Sequence, residues 1–249
     1  MFKMQQCCHE LLSTRPTRSV CLAKIRSGGG ALPVFAAVAL VAGVAWASTG
    51  AESYTGPTSQ ALHNAKGAKT LYSQNSDAQS YAQGSQNFTS GFQNSYNDAA
   101  ADDFVVPKAK KWVITEIDVT GYYWNGPGPA SSENVTFYKN SESIPGSTVK
   151  HGALPDLKCA DNSGSFRCSL GKGLKLKSGH YWVSVVANCS ELTCGQWGWQ
   201  TTGHRHNDPA VWENPNFGFQ YCMTWEILND CGALGVPDLM FDLQGKETK

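Results

Sequence analysis

The sequence predicts an all-β protein, an antiparallel β-sandwich of the jelly-roll-like kind that is stapled by local disulfides. Apolar and polar residues alternate along several short stretches, which is the pattern of strands with one buried face. Turn residues separate these stretches at intervals of about 8–12 residues, a spacing that is typical of sandwiches and barrels. Six cysteines after residue 47 fall into three close pairs. A helical pattern is suggested only around residues 61–69.

The longest strand pattern lies within residues 100–124 and marks the central strand. From Val113 the odd positions read Val113, Thr115, Ile117, Val119, Gly121 and Tyr123, and Glu116, Asp118 and Thr120 lie between them. Pro107 is expected to end an earlier short strand at 104–106. The stretch therefore predicts a half-buried antiparallel strand but names no reaction.

The other strands are shorter. They are predicted at residues 71–72, 135–138, 164–170, 180–187, 195–200 and 239–243. Glycine and proline predict turns between them, at 125–129, 144–146 and 177–179. Residues 73–97 are rich in Gln, Asn, Ser and Gly, and their composition is similar to a low-complexity tract. Regularly spaced aromatic residues in this tract predict that part of it packs against the sheet.

The N-terminal region has the pattern of an export signal. Five basic residues precede the charge-free apolar run at 32–44, and Ala45-Trp46-Ala47 follows it. This pattern predicts a secretory signal peptide at residues 1–47 with cleavage after Ala47. The apolar run is shorter than the roughly 20 residues that a transmembrane helix needs, although an uncleaved N-terminal anchor is the alternative.

The chain is therefore divided by composition into four parts. We expect a signal peptide at 1–47, a flexible linker at 48–70, a β-sandwich domain at 71–245 and a polar tail at 246–249. The signal places the protein outside the cytoplasm, either secreted to the extracellular space or in the periplasm.

Charge excludes some partners. The full chain has 20 basic and 20 acidic residues, and segment 1–47 carries five basic residues and one acid, so the remainder has a net charge of −4. A mildly acidic protein has no electrostatic reason to bind nucleic acid or, after signal cleavage, an anionic membrane. Neither an oligomeric state nor a cofactor is assigned from composition.

The six remaining cysteines indicate disulfides, because an even number of cysteines in an exported chain is typical of cross-linked domains. Proximity along the chain predicts three bonds, Cys159–Cys168, Cys189–Cys194 and Cys222–Cys231. A metal site at the cysteines is the alternative, but the C-x2-C spacing of zinc knuckles is missing.

Several stretches also follow a pattern seen in other proteins. They are Leu71-Tyr72, Ala101-Asp-Asp-Phe104, Val106-Pro107, Trp112–Val119, Gly121, Val135–Tyr138, Ile144–Gly146, Gly179–Val185 and Pro237–Asp242. In these stretches the chain resembles a group of exported bacterial β-sandwich domains, most of which are described as hypothetical secreted proteins. The resemblance covers roughly residues 71–245 and implies a jelly-roll-like sandwich and export. It implies no catalytic residues.

Two adjacent carboxylates, Asp102 and Asp103, stand before the central strand, with Asp98 nearby. Carboxylate oxygens suit Ca²⁺, so Asp102 and Asp103 are candidate calcium ligands. Two acids fall short of the roughly 6–8 oxygens that Ca²⁺ takes. The alternative is that Asp102 caps a turn and Asp103 pairs with a lysine.

A second candidate metal site lies in the segment 203–208. His204 and His206 would share one side of an extended segment, with Asp208 in step. Imidazole nitrogens bind transition metals, but a third ligand such as His151 or His180 would have to come from elsewhere. The alternative is a solvated polar loop.

Tryptophans supply the third candidate site. Trp197, Trp199 and Trp212 are bracketed by Gly, Gln, Asn and His, and exposed tryptophans of this kind would offer flat faces to a sugar. The alternative is ordinary core, because large aromatic side chains are normally buried.

The sequence contains few features that indicate an enzyme. No G-x-S-x-G, H-E-x-x-H, P-loop or G-x-G-x-x-G motif occurs, and no catalytic residue is assigned. The leading hypothesis is a secreted, non-catalytic binding module for carbohydrate or another cell-surface ligand. The alternatives are a secreted hydrolase with a carboxylate- or histidine-based site, and a structural envelope or matrix protein.

Overall fold

A computed structural model of the chain describes residues 68–89, 91–232, 235 and 237–249, with the backbone alone at residues 91 and 92. The predicted signal peptide and nearly all of the predicted linker lie outside the described residues. The described chain is almost entirely β-structure in antiparallel sheets that pack together. The predicted fold class is therefore confirmed.

The described part contains fourteen strands. In chain order they are β1 (Lys69–Ser73), β2 (Ala78–Gly84), β3 (Gln86–Phe88), β4 (Ala99–Val119), β5 (Gly121–Trp124), β6 (Ser132–Ser141), β7 (Ile144–Leu157), β8 (Ala160–Asn162), β9 (Ser165–Cys189), β10 (Gln196–Thr202), β11 (Val211–Glu213), β12 (Glu226–Ile227), β13 (Asp238–Leu239) and β14 (Phe241–Thr248). The helical elements are α1 (Glu191–Cys194) and two 3₁₀ helices, Gly91–Tyr96 and Leu228–Cys231. No helix in the described residues is long and apolar enough to span a bilayer.

The strands form two sheets. The larger sheet has the order β1-β14-β4-β9-β6-β7, and the short strands β3, β8, β11 and β12 attach to it. The smaller sheet has the order β13-β10-β2, with β5 also paired to β10. All pairs are antiparallel except β3 with β9.

Strands β4 and β9 are longer than the sequence predicts. Pro107 does not end a strand, and the turn expected at residues 177–179 lies inside β9. The pairing passes from Val106 opposite Gly179 to Lys111 opposite Lys177. The extra residues of β4 therefore form a bulge, where a proline costs no ladder hydrogen bond.

Trp197 and Trp199 fill the space between the sheets. Both side chains are fully buried. The Trp197 ring stacks on Phe166 of β9 with centroids 4.7 Å apart, and its Nε1 donates to the Gly164 carbonyl at 2.7 Å. Trp199 Nε1 donates to the Met240 carbonyl at 2.8 Å. The expectation that these two tryptophans face a ligand is wrong, because β10 turns them into the apolar core.

Disulfides close three local loops. They join Cys159 to Cys168, Cys189 to Cys194 and Cys222 to Cys231, which are the three predicted pairs. Each loop is short, so each bond restricts mainly its own segment of the unfolded chain.

The chain end is part of the larger sheet. Lys246, Glu247 and Thr248 pair with residues 111–113 of β4. Glu247 also accepts a hydrogen bond from Trp112 Nε1 at 3.2 Å. The predicted polar tail at 246–249 thus continues strand β14 as far as Thr248. Polar side chains on an edge region reflect exposure here, not a lack of backbone pairing.

Candidate functional site

Asp102 and Asp103 are neighbours on β4, but their side chains contact different residues. Successive residues of a strand point to opposite faces of the sheet. Asp102 Oδ2 accepts hydrogen bonds from Gln74 Nε2 at 2.7 Å and from the Leu239 amide at 2.6 Å. Its Oδ1 accepts from the Asp103 amide at 2.7 Å. The expected calcium pair is thus split, because protein donors already occupy Asp102.

Asp103 instead meets His180 and Asp208. His180 Nε2 is in hydrogen-bond contact with Asp103 Oδ2 and lies 3.8 Å from Asp208 Oδ2. One donor atom from each of the three residues lies within 4.8 Å of the others. We call these three residues the Asp–His centre.

Sheet register places this centre. In the β4–β9 pairing, Asp103 is opposite Trp182 and Val105 is opposite His180. Asp103 and His180 are therefore diagonal neighbours on the same face. The His180 ring stacks on Trp182 with centroids 6.1 Å apart, which orients the imidazole. Asp208 arrives from the loop after β10, where its amide donates to Asp103 Oδ2 at 3.1 Å.

The centre is buried at one end and open at the other. The Asp103 side chain is fully buried, whereas His180 and Asp208 are 26% and 25% exposed. Burial raises the pKa of Asp103 above the usual range of an aspartate, and the Asp208 amide and His180 oppose that rise. His180 and Asp208 therefore form the solvent-exposed side of the centre.

A third buried carboxylate, Asp238, lies beside the centre. Burial, followed by repulsion from Asp103, raises the pKa of Asp238 to about 7. Burial and the Asp238 carboxylate likewise raise the pKa of Asp102. Among the described residues, Asp238 Oδ1 has no hydrogen-bond partner although Asp238 is fully buried.

The two histidines of the segment 203–208 diverge. His204 is mostly exposed, and its Nε2 lies 3.7 Å from Asp77 Oδ2. His206 turns the other way, with its Nδ1 3.6 Å from Asp238 Oδ2. The segment is a loop, so the strand-like alternation behind the predicted pair does not apply. Asp208 joins the Asp–His centre and His204 does not.

Another group of ligand-type atoms consists of Glu133, Cys159 and Cys168. The two cysteines are bonded to each other, so neither offers a thiolate. Glu133 accepts a hydrogen bond from the Cys159 amide at 3.0 Å, and burial raises its pKa to about 7. This group is structural in the disulfide-bonded state.

Trp212 is also buried, but it supports an exposed cluster of rings. Its centroid lies 5.6 Å from Phe219 and 5.7 Å from Tyr221. Tyr96 adds an edge contact to Phe219 at 5.2 Å. Tyr96 and Tyr221 are 43% and 47% exposed. We call Tyr96, Phe219 and Tyr221, resting on Trp212, the aromatic surface. The expectation that Trp212 itself faces a ligand is corrected, because its ring is buried and packs against Phe219 and Tyr221.

The segment that carries this surface is tightly fixed. Asn214 is fully buried, and its Nδ2 donates to the carbonyls of Ser95 at 2.9 Å and Asn97 at 2.7 Å. Its Oδ1 accepts from the Phe219 amide at 2.9 Å. The disulfide at Cys222 closes the segment on its far side.

Three residues of this segment adopt backbone conformations that L-residues rarely take. The φ angles are +62° at Phe217, +66° at Gln220 and +47° at Cys222. Such conformations persist only where surrounding contacts impose them, and they cluster at ligand sites. Phe217 is itself 51% exposed.

Sequence reasoning missed the aromatic surface for a definable reason. Residues 214–223 show neither alternation nor a motif, so the sequence predicts no element there. The usable signal was the density of Phe and Tyr between Asn, Pro and Gly next to a predicted disulfide.

Comparison with known proteins covers part of the chain. No curated protein and no solved structure matches it. Residues 168–244 match a family model described as "Domain of unknown function (DUF7901)". The matched stretch holds His180, Asp208 and the segment 214–223, whereas Asp103 and Tyr96 lie before it. The chain is similar to this domain over that stretch.

Proposed function

We propose that this chain is an exported, non-catalytic binding module that holds carbohydrate on the aromatic surface. The observation that carries the proposal is a connected group of rings, in which exposed Tyr96 and Tyr221 flank half-buried Phe219 beside the buried Trp212. Contiguous exposed apolar side chains with a polar rim mark binding sites more often than isolated ones do.

The chemistry of the rim fits a sugar. A sugar ring offers apolar C–H faces that pack on aromatic rings, and hydroxyls that exchange hydrogen bonds with amides. Asn94, Asn216 and Gln220 are exposed amide residues on the two segments that form the surface. Aromatic rings with a few polar groups around them are the usual composition of a small-ligand site.

The site is also preorganised. Asn216 Nδ2 donates to the Asn94 carbonyl at 2.7 Å, and the Gly218 amide donates to the Ser95 carbonyl at 2.8 Å. These bonds join the segment 214–222 to the 3₁₀ helix before binding occurs. A ligand would therefore lose less of its binding free energy to ordering the protein.

Two features support export. The apolar run at 32–44 with Ala45-Trp46-Ala47 has the pattern of a signal peptide. All six cysteines after residue 47 are paired in disulfides, which persist in oxidising compartments.

The test is binding of the purified chain to a glycan array and to insoluble polysaccharides. We expect saturable binding that Tyr221→Ala weakens by about 10-fold or more, the effect of losing one well-placed aromatic contact. Leu192→Ala is the matched control, because Leu192 is a 78% exposed apolar residue on α1, outside the surface. Tyr221→Phe should retain most of the binding.

Two results would count against this function. Binding to no glycan, or equal losses in the Tyr221 and Leu192 variants, would remove the role of the aromatic surface. Release of shorter sugars from a bound polysaccharide would favour the alternative, a secreted hydrolase.

A further inference from the structure

We infer that the Asp–His centre is a binding site for one divalent transition-metal ion, with Zn²⁺ as the best fit, held by Asp103, His180 and Asp208. This inference is independent of carbohydrate binding, because the centre shares no residue with the aromatic surface. The three side chains come from β4, β9 and the loop after β10. Their meeting is a product of the fold and not of a local sequence motif.

The contact pattern around His180 favours a cation. The same nitrogen, Nε2, faces Asp103 Oδ2 and Asp208 Oδ2. A neutral imidazole carries at most one proton on that nitrogen, so it can donate to only one of the two carboxylates. A metal ion that replaced the His180–Asp103 hydrogen bond would be bound by both carboxylates and the nitrogen at once. One ligand atom of each residue already lies within 4.8 Å of the others, so only small side-chain shifts are needed.

A further buried carboxylate lies close to the centre. Asp238 is fully buried, and its Oδ2 accepts a hydrogen bond from the His206 amide. Its Oδ1 has no hydrogen-bond partner among the described residues. A buried carboxylate oxygen without a hydrogen-bond donor is costly in a protein interior, and a cation bound nearby would offset that cost. Asp238 would act from outside the ligand set.

The donor types select the metal. Ca²⁺ takes about 6–8 oxygen ligands, and this centre offers two carboxylates and one nitrogen. Imidazole together with carboxylate suits Zn²⁺ and its neighbours, and three protein ligands plus water is a common open zinc geometry. His180 and Asp208 are a quarter exposed, so water can complete the coordination. The calcium expectation for Asp102 and Asp103 is thereby replaced by a different ligand set.

The ligands are also oriented by their neighbours. The Asn207 side chain donates to Asp103 Oδ1 at 3.4 Å, on the oxygen that does not face His180. The His180 ring is stacked on Trp182, which is fully buried. Partners that hold the ligands in place commonly accompany metal sites.

The test is metal binding by the tag-free full chain after treatment with a chelator. ZnCl₂, CaCl₂ and MgCl₂ are titrated separately by calorimetry, and bound metal is counted after dialysis. We expect one Zn²⁺ per chain, bound at least about 10-fold more tightly than Ca²⁺, since the donor set is not all oxygen. Co²⁺ should give the visible absorption of a low-coordinate site in the wild-type chain.

Two variants test the ligands, and one serves as control. His180→Gln and Asp208→Asn should each weaken Zn²⁺ binding by more than about 10-fold. Loss of a residue that only orients a ligand typically costs about 10-fold or more, so loss of a ligand itself should cost at least as much. Asp208→Asn leaves the backbone bond to Asp103 in place, so the fold should persist. His204→Gln is the matched control, because His204 is an exposed histidine of the same loop that pairs with Asp77.

Several results would overturn the inference. They are the absence of saturable Zn²⁺ binding, tighter binding of Ca²⁺ than of Zn²⁺, or a loss in His204→Gln equal to that in His180→Gln. Melting curves recorded in chelator establish that each variant is folded before its titration is interpreted.

Discussion

Asp98 is an acid that the fold keeps away from water. It is 7% exposed, and its Oδ1 accepts a hydrogen bond from the Gln86 amide at 2.6 Å. Burial raises the pKa of Asp98 to about 8, and the Gln86 bond only partly opposes this. The group therefore favours its protonated form in the folded chain at pH values where an unfolded aspartate is ionised.

Asp98→Asn should reduce the pH dependence of folding stability. Between about pH 4 and about pH 8 the folded state binds the Asp98 proton and the unfolded state does not, so this group makes stability fall as pH rises. The amide keeps the acceptor for Gln86 and carries no charge. We expect the variant to be more stable than wild type at pH 8, by an amount on the order of a few kcal/mol, and similar at pH 4. Urea unfolding across this range measures the difference.

Asp230→Asn is the control for that experiment, since Asp230 is an exposed acid near a disulfide. A parallel loss of stability with pH in wild type and Asp98→Asn would show that Asp98 is not the group responsible.

The sequence identifies each residue of the Asp–His centre as a candidate ligand, but it does not predict that the three lie close together. Asp103 was chosen for its carboxylate, Asp208 for its spacing and His180 only as one of two distant candidates. What joins them is the β4–β9 register, which sets Val105 opposite His180. That register depends on the bulge after Val106, and no sequence pattern marks its length.

At the scale of elements, the segment 214–222 is a loop that is held in place by side-chain hydrogen bonds. It makes few regular backbone pairs, and Asn214 replaces them with its side chain. This one residue supplies one of the two donors to the Ser95 carbonyl, a donor to the Asn97 carbonyl and the acceptor for the Phe219 amide. Asn214 therefore supports the aromatic surface through the backbone of the segment and not through contacts with the rings.

Asn214→Ala should therefore loosen the segment and weaken ligand binding together. Each buried polar group left without a partner costs about 1–3 kcal/mol, so we expect a loss of stability of roughly 2 kcal/mol or more. Faster limited proteolysis between residues 214 and 223 would locate the change. Asn216→Ala is the matched control, because exposed Asn216 makes only one such bond, to the Asn94 carbonyl. Equal effects in the two variants would contradict the anchoring role of Asn214.

Element prediction succeeded where alternation is clean and failed where chain geometry intervenes. The strands around Val135, Val183 and Leu243 follow from period-two patterns. Pro107 was misread because a bulge removes its penalty. The break after Val119, where the chain leaves the larger sheet and β5 joins the smaller one, has no clear signal beyond Gly121.

On the scale of the whole molecule, the two sheets are held together largely by aromatic packing. Trp197 stacks on Phe166, and Trp199 packs edge-on against Phe241 with centroids 6.0 Å apart. Each pair joins β10 of the smaller sheet to a strand of the larger one. The sequence showed that these tryptophans are numerous. It could not show which face of β10 is covered, because both of its faces carry residues that are buried in the structure.

Trp199→Ala should destabilise the fold and should not act as a specific loss of ligand binding. Removing a fully buried tryptophan leaves a cavity between the sheets and removes one of the two hydrogen bonds to the Met240 carbonyl, so we expect a loss of about 3–5 kcal/mol in the free energy of unfolding. Tyr221→Ala is the contrasting variant, because nearly half of Tyr221 is exposed and its removal should change stability by less than about 1 kcal/mol. Chemical unfolding and glycan binding are measured on both chains. The two variants should separate, with stability lost in one and affinity in the other. A Trp199→Ala chain that is stable but fails to bind glycan would contradict this prediction. It would indicate that the glycan binds at the tryptophans of β10 and not at the aromatic surface.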